Sequence, residues 1–356
     1  MKKPFKIFES YRTNSVSIWY FVADYGEWEK GKPCKGFGTV KYADGSLYTG
    51  DLYYDGENFH QIGFGQQDFS RSYFGNIDPR INEKKVKFVG QYDYRKTNWI
   101  YGNGVMYYAD ASGKPTHFAK GFFGGLRMMG DYRGAFDYSS LLDGYTAEME
   151  FHYDCDREYI RERSNERFHN AHLLCERLEK IDTLFIGDSY FDFLDNQEYA
   201  GKFSFYNVFP QNFVNCGIVC LRFCDWIGYM PQLKRLSQPD RIIINLGFND
   251  LHCGKTAKQA YADYLKFLRL IRELFPRSEI LLMGVVHSPK CPWCYKEENE
   301  FNALTAKSAS RLGVTVSDWN ERISACAENC FHADGFHLNE TGYGLFTEEM
   351  KRWLSA

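Results

Sequence analysis

Glycine and aromatic residues are concentrated in the first part of the chain, and this bias constrains the fold more than any other feature of the sequence. Residues 1–150 contain 32 of the 63 Phe, Trp and Tyr residues and 20 of the 31 glycines of the 356-residue chain. Glycine alternating with aromatic residues is typical of short strands joined by tight turns. We therefore expect an all-β domain over residues 1–150.

Within this region the pattern of glycine and aromatic residues repeats along the chain. A single hairpin cannot bury its own aromatic face, so consecutive copies are expected to stack and to cover one another. The repeated segments are Tyr25-Gly26-Glu27-Trp28 and Tyr48-Thr49-Gly50-Asp51-Leu52, then Gly36-Phe37-Gly38 and Gly63-Phe64-Gly65, with looser copies from Phe88 and from Phe122 to Phe136.

These segments resemble MORN repeats, in which a Tyr-x-Gly-x-Trp start is followed by a polar turn and by Gly-x-Gly. The resemblance spans about residues 20–136, and the third copy departs from it with Gln91-Tyr92. It implies a MORN-like repeat domain that contacts a protein or a lipid partner. The aromatic surplus would also suit stacking on sugars.

From about Asp156 the sequence changes to apolar runs that alternate with amphipathic segments. The charged stretch at the start of this half predicts an exposed helical linker over residues 151–179. Beyond it, strand–helix alternation predicts a three-layer α/β domain with a parallel sheet over residues 180–356. The predicted strands are Thr183 to Gly187, Phe213 to Gly217, Arg241 to Gly247, Ile280 to Val286 and Val314 to Trp319, and the predicted helices lie near 219–236, 257–275, 297–311 and 342–354.

Chemically active residue types follow these strands at their carboxyl ends, where parallel sheets form their sites. Ser189 follows the first strand and Asn249 the third, while Asp334 and His337 precede the last helix. A serine hydroxyl becomes a nucleophile when a base removes its proton, and a histidine oriented by a carboxylate is such a base. The backbone N–H groups of Ser189 and Gly217 and the amide of Asn249 are candidate donors to the oxyanion of ester cleavage.

Four blocks of this half resemble the SGNH/GDSL hydrolase family, and they occur in the family's order. The resemblance implies a flavodoxin-like three-layer α/β/α domain with serine esterase activity on a small-molecule ester, without a cofactor. Tyr190-Phe191 departs from the small or polar residue of many members, which leaves the size of the acyl pocket open. The matching blocks are Gly187-Asp188-Ser189, Gly217, Gly247-Phe248-Asn249-Asp250, and the Asp-x-x-His of Asp334 and His337.

Other interpretations stay open at this point. A serine after a strand is also a common helix cap, so Gly-Asp-Ser alone is a weak signal. The repeat half could make the protein a scaffold with a dispensable hydrolase half, and the same triad would permit acyl transfer to another hydroxyl. We favour an acyl or acetyl ester, with a carbohydrate-like ester ahead of others, because no long apolar lid is evident. His287 is more typical of a loop residue, His252 fits either a pocket-lining or a solvated loop residue, and Asp250 is expected to brace the loop of Asn249.

Charge and cysteine content bear on partners and location. The chain has 43 Lys and Arg against 46 Asp and Glu, a net charge of -3, which gives no electrostatic basis for binding nucleic acid. No apolar run approaches the roughly 18 residues of a membrane helix. Eleven cysteines, an odd number, argue against a fully bridged secreted scaffold, so we expect a cytoplasmic location.

Two pairs of cysteines follow the fourth and fifth predicted strands. Their spacing is compatible with a tetrahedral zinc site that would hold the catalytic loop. Reduced thiols in two unrelated loops are favoured over zinc because no knuckle glycines accompany the cysteines, and disulfides are a third option. The four residues are Cys291, Cys294, Cys326 and Cys330.

Overall fold

The structure is a computed structural model. It describes residues 17–23, 32–42, 45–56, 58–69, 80–81, 83–95, 100–110, 112–124, 127–128, 157–210, 212–325 and 330–356. The chain divides into two units, Met1–Ser139 and Ser140–Ala356. Among the helices of the described residues, none has the length and hydropathy of a membrane-spanning segment.

The described strands of the first unit form one antiparallel sheet in which each strand pairs with the next along the chain. The prediction of an all-β region is therefore confirmed. The predicted segment Tyr25–Trp28 and residues 129–136 of the copy from Phe122 lie outside the described residues. The strands are β1 (Ser17–Ala23), β2 (Cys34–Lys41), β3 (Leu47–Tyr54), β4 (Phe59–Asp68), β5 (Glu83–Asp93), β6 (Ile100–Asp110), β7 (Pro115–Gly124) and β8 (Arg127–Met128).

Aromatic rings in this sheet pack directly on glycines of the neighbouring strand. The buried ring of Tyr48 covers Gly65, where a Cβ atom would lie 2.5 Å from the ring carbon Cε2. The buried ring of Phe88 covers Gly104 in the same way, and a Cβ there would overlap the ring. The sequence alternates glycine with aromatic residues because each ring needs the space that a missing side chain leaves.

A second feature recurs in the same two hairpins. The Asp51 carboxylate accepts a hydrogen bond from the Phe64 N–H at 2.9 Å, and the Gln91 amide oxygen accepts one from the Asn103 N–H at 2.8 Å. In both hairpins the residue before the donor is a glycine with positive φ. Gly63-Phe64-Gly65 and Gly102-Asn103-Gly104 are therefore equivalent in structure. The internal repeat is present, while its identity with MORN repeats stays a prediction.

The second unit contains a parallel five-stranded sheet in the order β10-β9-β11-β12-β13. This confirms the predicted α/β class. The strands are β9 (Thr183–Gly187), β10 (Phe213–Gly217), β11 (Arg241–Asn245), β12 (Glu279–Met283) and β13 (Thr315–Ser317). The helices are α1 (Arg157–Arg177), α2 (Ser189–Phe193), α3 (Gln197–Ala200), α4 (Phe205–Val208), α5 (Phe223–Gly228), α6 (Met230–Leu233), α7 (Phe248–His252), α8 (Ala257–Leu274), α9 (Tyr295–Leu312), α10 (Asn320–Ser324) and α11 (Glu340–Leu354), with 3-10 turns at Gly201–Phe203 and Pro292–Cys294.

This sheet is covered on both faces, because every residue of β9 and β10 is buried. The strand order reverses between β9 and β11, since the chain passes from β9 to β10 on one side and then to β11 on the other. In open α/β sheets such a switch point is where sites form. Ser189 follows β9 and Asn249 follows β11, so both lie at this point.

Helix α1 differs from the predicted exposed linker. Its residues Phe168 and Leu174 are buried, and the helix packs on β10. Arg167 is buried as well and pairs with the carboxylates of Asp192 and Asp195. The charged pattern of this segment comes from buried ion pairs as well as from a solvated face. The helix is a packed part of the second unit.

Replacing Gly104 with alanine tests the packing of rings on glycines. The added Cβ would overlap the ring of Phe88, so Gly104→Ala should lower the free energy of unfolding by about 1–3 kcal/mol, as overpacking does. Asn103→Ala is the matched control, because this neighbouring side chain is exposed. Urea denaturation of both variants measures the effect, and equal stability of the two would contradict the packing argument.

Candidate active site

Ser189 is the first residue of the one-turn helix α2, directly after the buried strand β9. Asp188 caps this helix: its carboxylate accepts hydrogen bonds from the Tyr190 N–H at 3.0 Å and from the Asn245 amide at 3.2 Å. Burial raises the pKa of Asp188 to about 7, against the opposing effect of these hydrogen bonds. The strand end and the cap together fix where the serine hydroxyl lies.

Two glycines let the sheet approach this helix closely. A Cβ on Gly187 or on Gly217 would lie 2.5 Å from atoms of Phe191. The N–H of Gly217 donates to the side-chain oxygen of Asn215 at 2.8 Å. This differs from the prediction of Gly217 as an oxyanion donor, because its N–H is already engaged. Gly217 instead allows helix α2 to pack against the end of β10.

Buried arginines of α1 hold the nucleophile helix from its other side. The Asp192 carboxylate accepts from Arg163 Nε at 2.7 Å and from Arg167 Nη2 at 2.5 Å. Its second oxygen accepts from the Val219 N–H at 3.3 Å. Although burial opposes its charge, the pairing with Asp195 and Asp192 holds the pKa of Arg167 well above its usual value. Helix α2 is thus tied to α1 and to the turn after β10.

The structure brings Ser189, His337 and Asp334 together in one hydrogen-bonded chain. Ser189 Oγ lies 3.2 Å from His337 Nε2, and His337 Nδ1 lies 2.7 Å from Asp334 Oδ2. With the Nδ1 proton donated to the carboxylate, Nε2 is left to accept the serine proton. This arrangement is a geometry for nucleophilic catalysis.

The Asp334 carboxylate is itself fixed within its turn. Its second oxygen accepts from the N–H of Phe336 at 2.8 Å and from the N–H of His337 at 3.0 Å. Partial burial acts to raise the pKa of Asp334, but these hydrogen bonds and the imidazole outweigh it and keep the pKa below its usual value. The carboxylate therefore stays ionised and orients the histidine.

Residues that the sequence analysis missed brace the catalytic turn. Ser288 Oγ donates to the Gly335 carbonyl at 2.6 Å, and Tyr190 OH donates to the Phe336 carbonyl at 3.0 Å. The ring of Phe193 packs 4.7 Å from the ring of His337. The placement of Ser288 directly after the fourth strand, at the same sheet edge, was the one signal for its role.

Asn249, the predicted oxyanion donor, lies in the one-turn helix α7. Its Nδ2 donates one hydrogen to the Leu221 carbonyl at 3.2 Å, which leaves the second amide hydrogen for another acceptor. Cys220, directly before Leu221, has φ 64° and is the one non-glycine residue with positive φ among those described. The N–H of the neighbouring Val219 donates to Asp192 of α2, while the Leu221 carbonyl accepts from Asn249. This turn therefore lies between α2 and Asn249.

Asp250 braces this region, as predicted. It is buried and accepts from the Phe223 N–H at 3.1 Å and from Lys255 Nζ at 2.9 Å. Burial raises the pKa of Asp250 to about 6, while Lys255 acts in the opposite direction. Asp250, Cys224 and Asp263 lie close enough together to suggest a metal site. The Lys255 ammonium contacts all three, however, and supplies the cation of this cluster.

The described cysteines do not assemble the considered zinc site. Cys291 Sγ lies 3.1 Å from His252 Nδ1, and Cys294 is buried next to the Leu251 carbonyl. Among the described residues, no group of three ligand atoms includes Cys291, Cys294 or Cys330. Cys326 lies outside those residues.

A buried histidine–carboxyl pair lies behind the catalytic turn. His287 Nδ1 lies 2.6 Å from a carboxyl oxygen of the fully buried Glu298. Burial raises the pKa of Glu298 to about 8 and lowers the pKa of His287. These shifts favour the neutral form of each group, in which the carboxyl donates a hydrogen bond to the imidazole. Since Ser288 follows His287, this pair supports the segment that braces the catalytic turn.

A family model matches part of the second unit. Residues 185–345 match the model of the GDSL-like Lipase/Acylhydrolase family. This match supports a GDSL-like hydrolase acting on esters in the C-terminal region, as the four sequence blocks imply. No curated protein matches the chain.

Solved structures similar to this chain include three hydrolases. One is a member of the lipolytic protein G-D-S-L family from Veillonella parvula, with 16% identity, 48% of this chain and 96% of that chain covered, and a TM-score of 0.42. Another is a carbohydrate esterase family 3 from Talaromyces cellulolyticus, with 16% identity, coverages of 49% and 96%, and a TM-score of 0.39. The third is a psychrotrophic esterase from Pseudoalteromonas sp., with 16% identity, coverages of 50% and 100%, and a TM-score of 0.39.

Glu298→Gln tests the neutral state of the buried pair. The glutamine amide keeps a hydrogen bond to His287 Nδ1 but cannot ionise. In the wild type, the unfolded carboxyl ionises above its ordinary pKa of 4.5, while the folded carboxyl stays protonated up to about pH 8. The contribution of Glu298 to wild-type stability should therefore fall with rising pH through this window, so the stability of Glu298→Gln relative to wild type should increase.

Urea denaturation at several pH values between about 5 and 8 measures this difference. Glu321→Gln is the control, because its side chain is exposed. A difference between Glu298→Gln and wild type that stays constant with pH would show that the carboxyl is ionised in the folded protein.

Proposed function

We propose that the protein is a serine esterase that cleaves an acyl or acetyl ester through an acyl-enzyme on Ser189. The observation that carries this proposal is the hydrogen-bonded chain from Ser189 Oγ through His337 to Asp334, at 3.2 and 2.7 Å. A histidine oriented by a fixed carboxylate is the base that a serine hydroxyl needs. The family match of the C-terminal region supports ester hydrolysis.

In the proposed reaction, Ser189 Oγ attacks the ester carbonyl while His337 Nε2 takes its proton. His337 then gives this proton to the departing alcohol as the C–O bond breaks, and the acyl group stays on Ser189. Water, activated by the same histidine, releases the acid and restores the serine. Asp334 keeps the imidazole in its tautomer and stabilises its positive charge. These steps use side chains and water alone.

The developing oxyanion needs donors that are already in place. The N–H of Ser189, at the first position of α2, has no partner among the described residues and is one donor. The second amide hydrogen of Asn249 is another. The N–H of Gly217 is engaged by Asn215 and that of Val219 by Asp192, so neither is assigned as a donor.

The alternatives concern which molecule accepts the acyl group and what the first unit binds. Acyl transfer to another hydroxyl would use the same triad, and product analysis distinguishes it from hydrolysis. A protein or lipid partner of the MORN-like unit stays a prediction, as does a cytoplasmic location. The rings of Phe37, Phe64 and Phe118 on the first unit are exposed and would be accessible to such a partner.

Substitutions of the nucleophile and of the oxyanion donor test the mechanism. Ser189→Ala should lose nearly all turnover of p-nitrophenyl acetate, because the attacking oxygen is gone. Asn249→Ala should lower kcat on the order of a hundred- to a thousandfold, as loss of one oxyanion donor does. Steady-state kinetics measures both effects.

Ser310→Ala and Asn207→Ala are the matched controls, since the two side chains are exposed on α9 and α4. They should retain wild-type rates. Turnover by Ser189→Ala above about half of the wild-type rate would exclude Ser189 as the nucleophile.

A further inference from the structure

Four rings of the second unit form a surface beside the triad, which we name the aromatic platform: Phe248, His252, Trp293 and Phe336. The rings of Phe248 and His252 are stacked, with centroids 5.7 Å apart and planes 7° apart. His252 also lies 5.5 Å from Phe336 and 6.3 Å from Trp293. The platform is therefore continuous from one ring to the next.

The platform borders the catalytic groups on both sides of the reacting centre. Phe336 directly precedes His337, and Phe248 directly precedes Asn249. The ring of Phe248 also stacks on Tyr190, the residue after the nucleophile, at 6.5 Å. A group bound on the platform would thus lie next to the base that protonates the departing alcohol.

Trp293 is held exposed by its own turn. Its side chain is 66% exposed, and it is the one large hydrophobic residue exposed to this degree in the described part of the second unit. Cys291 and Cys294 on either side are buried, and Pro292 stands at the first position of the 3-10 turn. The Cys294 N–H donates to the Cys291 carbonyl at 3.0 Å. Because the flanking residues are anchored inward, the indole is presented to solvent.

The exposure of the aromatic platform indicates which class of ligand it can bind. A long acyl chain gains most from an enclosed apolar channel, whereas the platform is open and both His252 and Trp293 are exposed. Exposed aromatic side chains suit a ligand with one apolar face and a hydrated edge. A sugar ring has this form, with C–H groups on its face and hydroxyl groups around its edge.

We propose that the aromatic platform binds the sugar ring of an O-acylated carbohydrate, which makes such esters the substrate class of the site. This inference rests on the serine esterase proposed above. In the reaction, the bond between the acyl carbon and the sugar oxygen breaks, the acyl group moves to Ser189 Oγ, and His337 gives its proton to the sugar oxygen. Water then releases the carboxylic acid, so that one ester and one water give one sugar hydroxyl and one acid.

Kinetics of Trp293 variants on two acetates tests the platform. Glucose pentaacetate can reach the platform, whereas ethyl acetate is too small to do so. Trp293→Ala should raise KM for glucose pentaacetate about tenfold or more, the effect of losing one stacking contact, and leave the rate on ethyl acetate unchanged. Trp293→Phe should restore most of the affinity, and Lys296→Ala, an exposed neighbour, should behave as wild type.

Two results would contradict the proposal that the aromatic platform binds the sugar ring. One is an unchanged KM for glucose pentaacetate in Trp293→Ala. The other is a lower rate on p-nitrophenyl octanoate in Trp293→Ala with an unchanged rate on the sugar ester, which would show that Trp293 contacts the acyl chain.

A binding measurement separates this inference from the proposed function. Calorimetric titration of glucose pentaacetate into Ser189→Ala should show binding, and adding Trp293→Ala should weaken it about tenfold or more. If the wild type hydrolysed no ester while this binding persisted, the esterase would be wrong and the platform would stand. If ethyl acetate were hydrolysed but the sugar did not bind, the platform would be wrong and the esterase would stand.

Discussion

The buried ion pairs between α1 and the nucleophile helix are the contact on which the active site depends. Helix α2 has five residues and is too short to be stable alone. Its Asp192 is held by Arg163 and Arg167 on one oxygen and by the Val219 N–H on the other. Removing one partner of such a pair leaves an uncompensated buried charge, at a cost of about 3–5 kcal/mol. The ion pairs therefore position Ser189 and the turn after β10 together.

The residues that we propose for catalysis could be brought together from the sequence because their signals are local and the topology joins them. Asp334 and His337 are three residues apart, so a single turn suffices to pair them, and the structure places them 2.7 Å apart. Ser189 and Asn249 each follow a buried apolar strand, and parallel strands end at one edge. The sheet order, with β9 beside β11, then brings the two residues to the same point.

The parts that sequence reasoning missed depend on hydrogen bonds between distant segments. The N–H of Gly217 is engaged by the side chain of Asn215, and no periodic pattern in the sequence indicates this hydrogen bond. In the sequence, the charged residues of α1 look like a solvated helix face. Their pairing with Asp192, 25 residues after Arg167, becomes evident only in the structure. The aromatic platform likewise joins rings from three separate segments of the chain. Burial and pairing of charged residues are tertiary properties, which explains why the fold class was predictable and these contacts were not.

Intact-mass analysis of the full-length protein after reaction with a fluorophosphonate tests the central claim most directly, because the probe reacts with a serine that a neighbouring base activates. The structure predicts one adduct per chain, located at Ser189 by peptide mapping, and no adduct in Ser189→Ala. An unlabelled folded protein, or an adduct at a different residue such as Ser288, would contradict the assignment of Ser189, His337 and Asp334 as the catalytic triad.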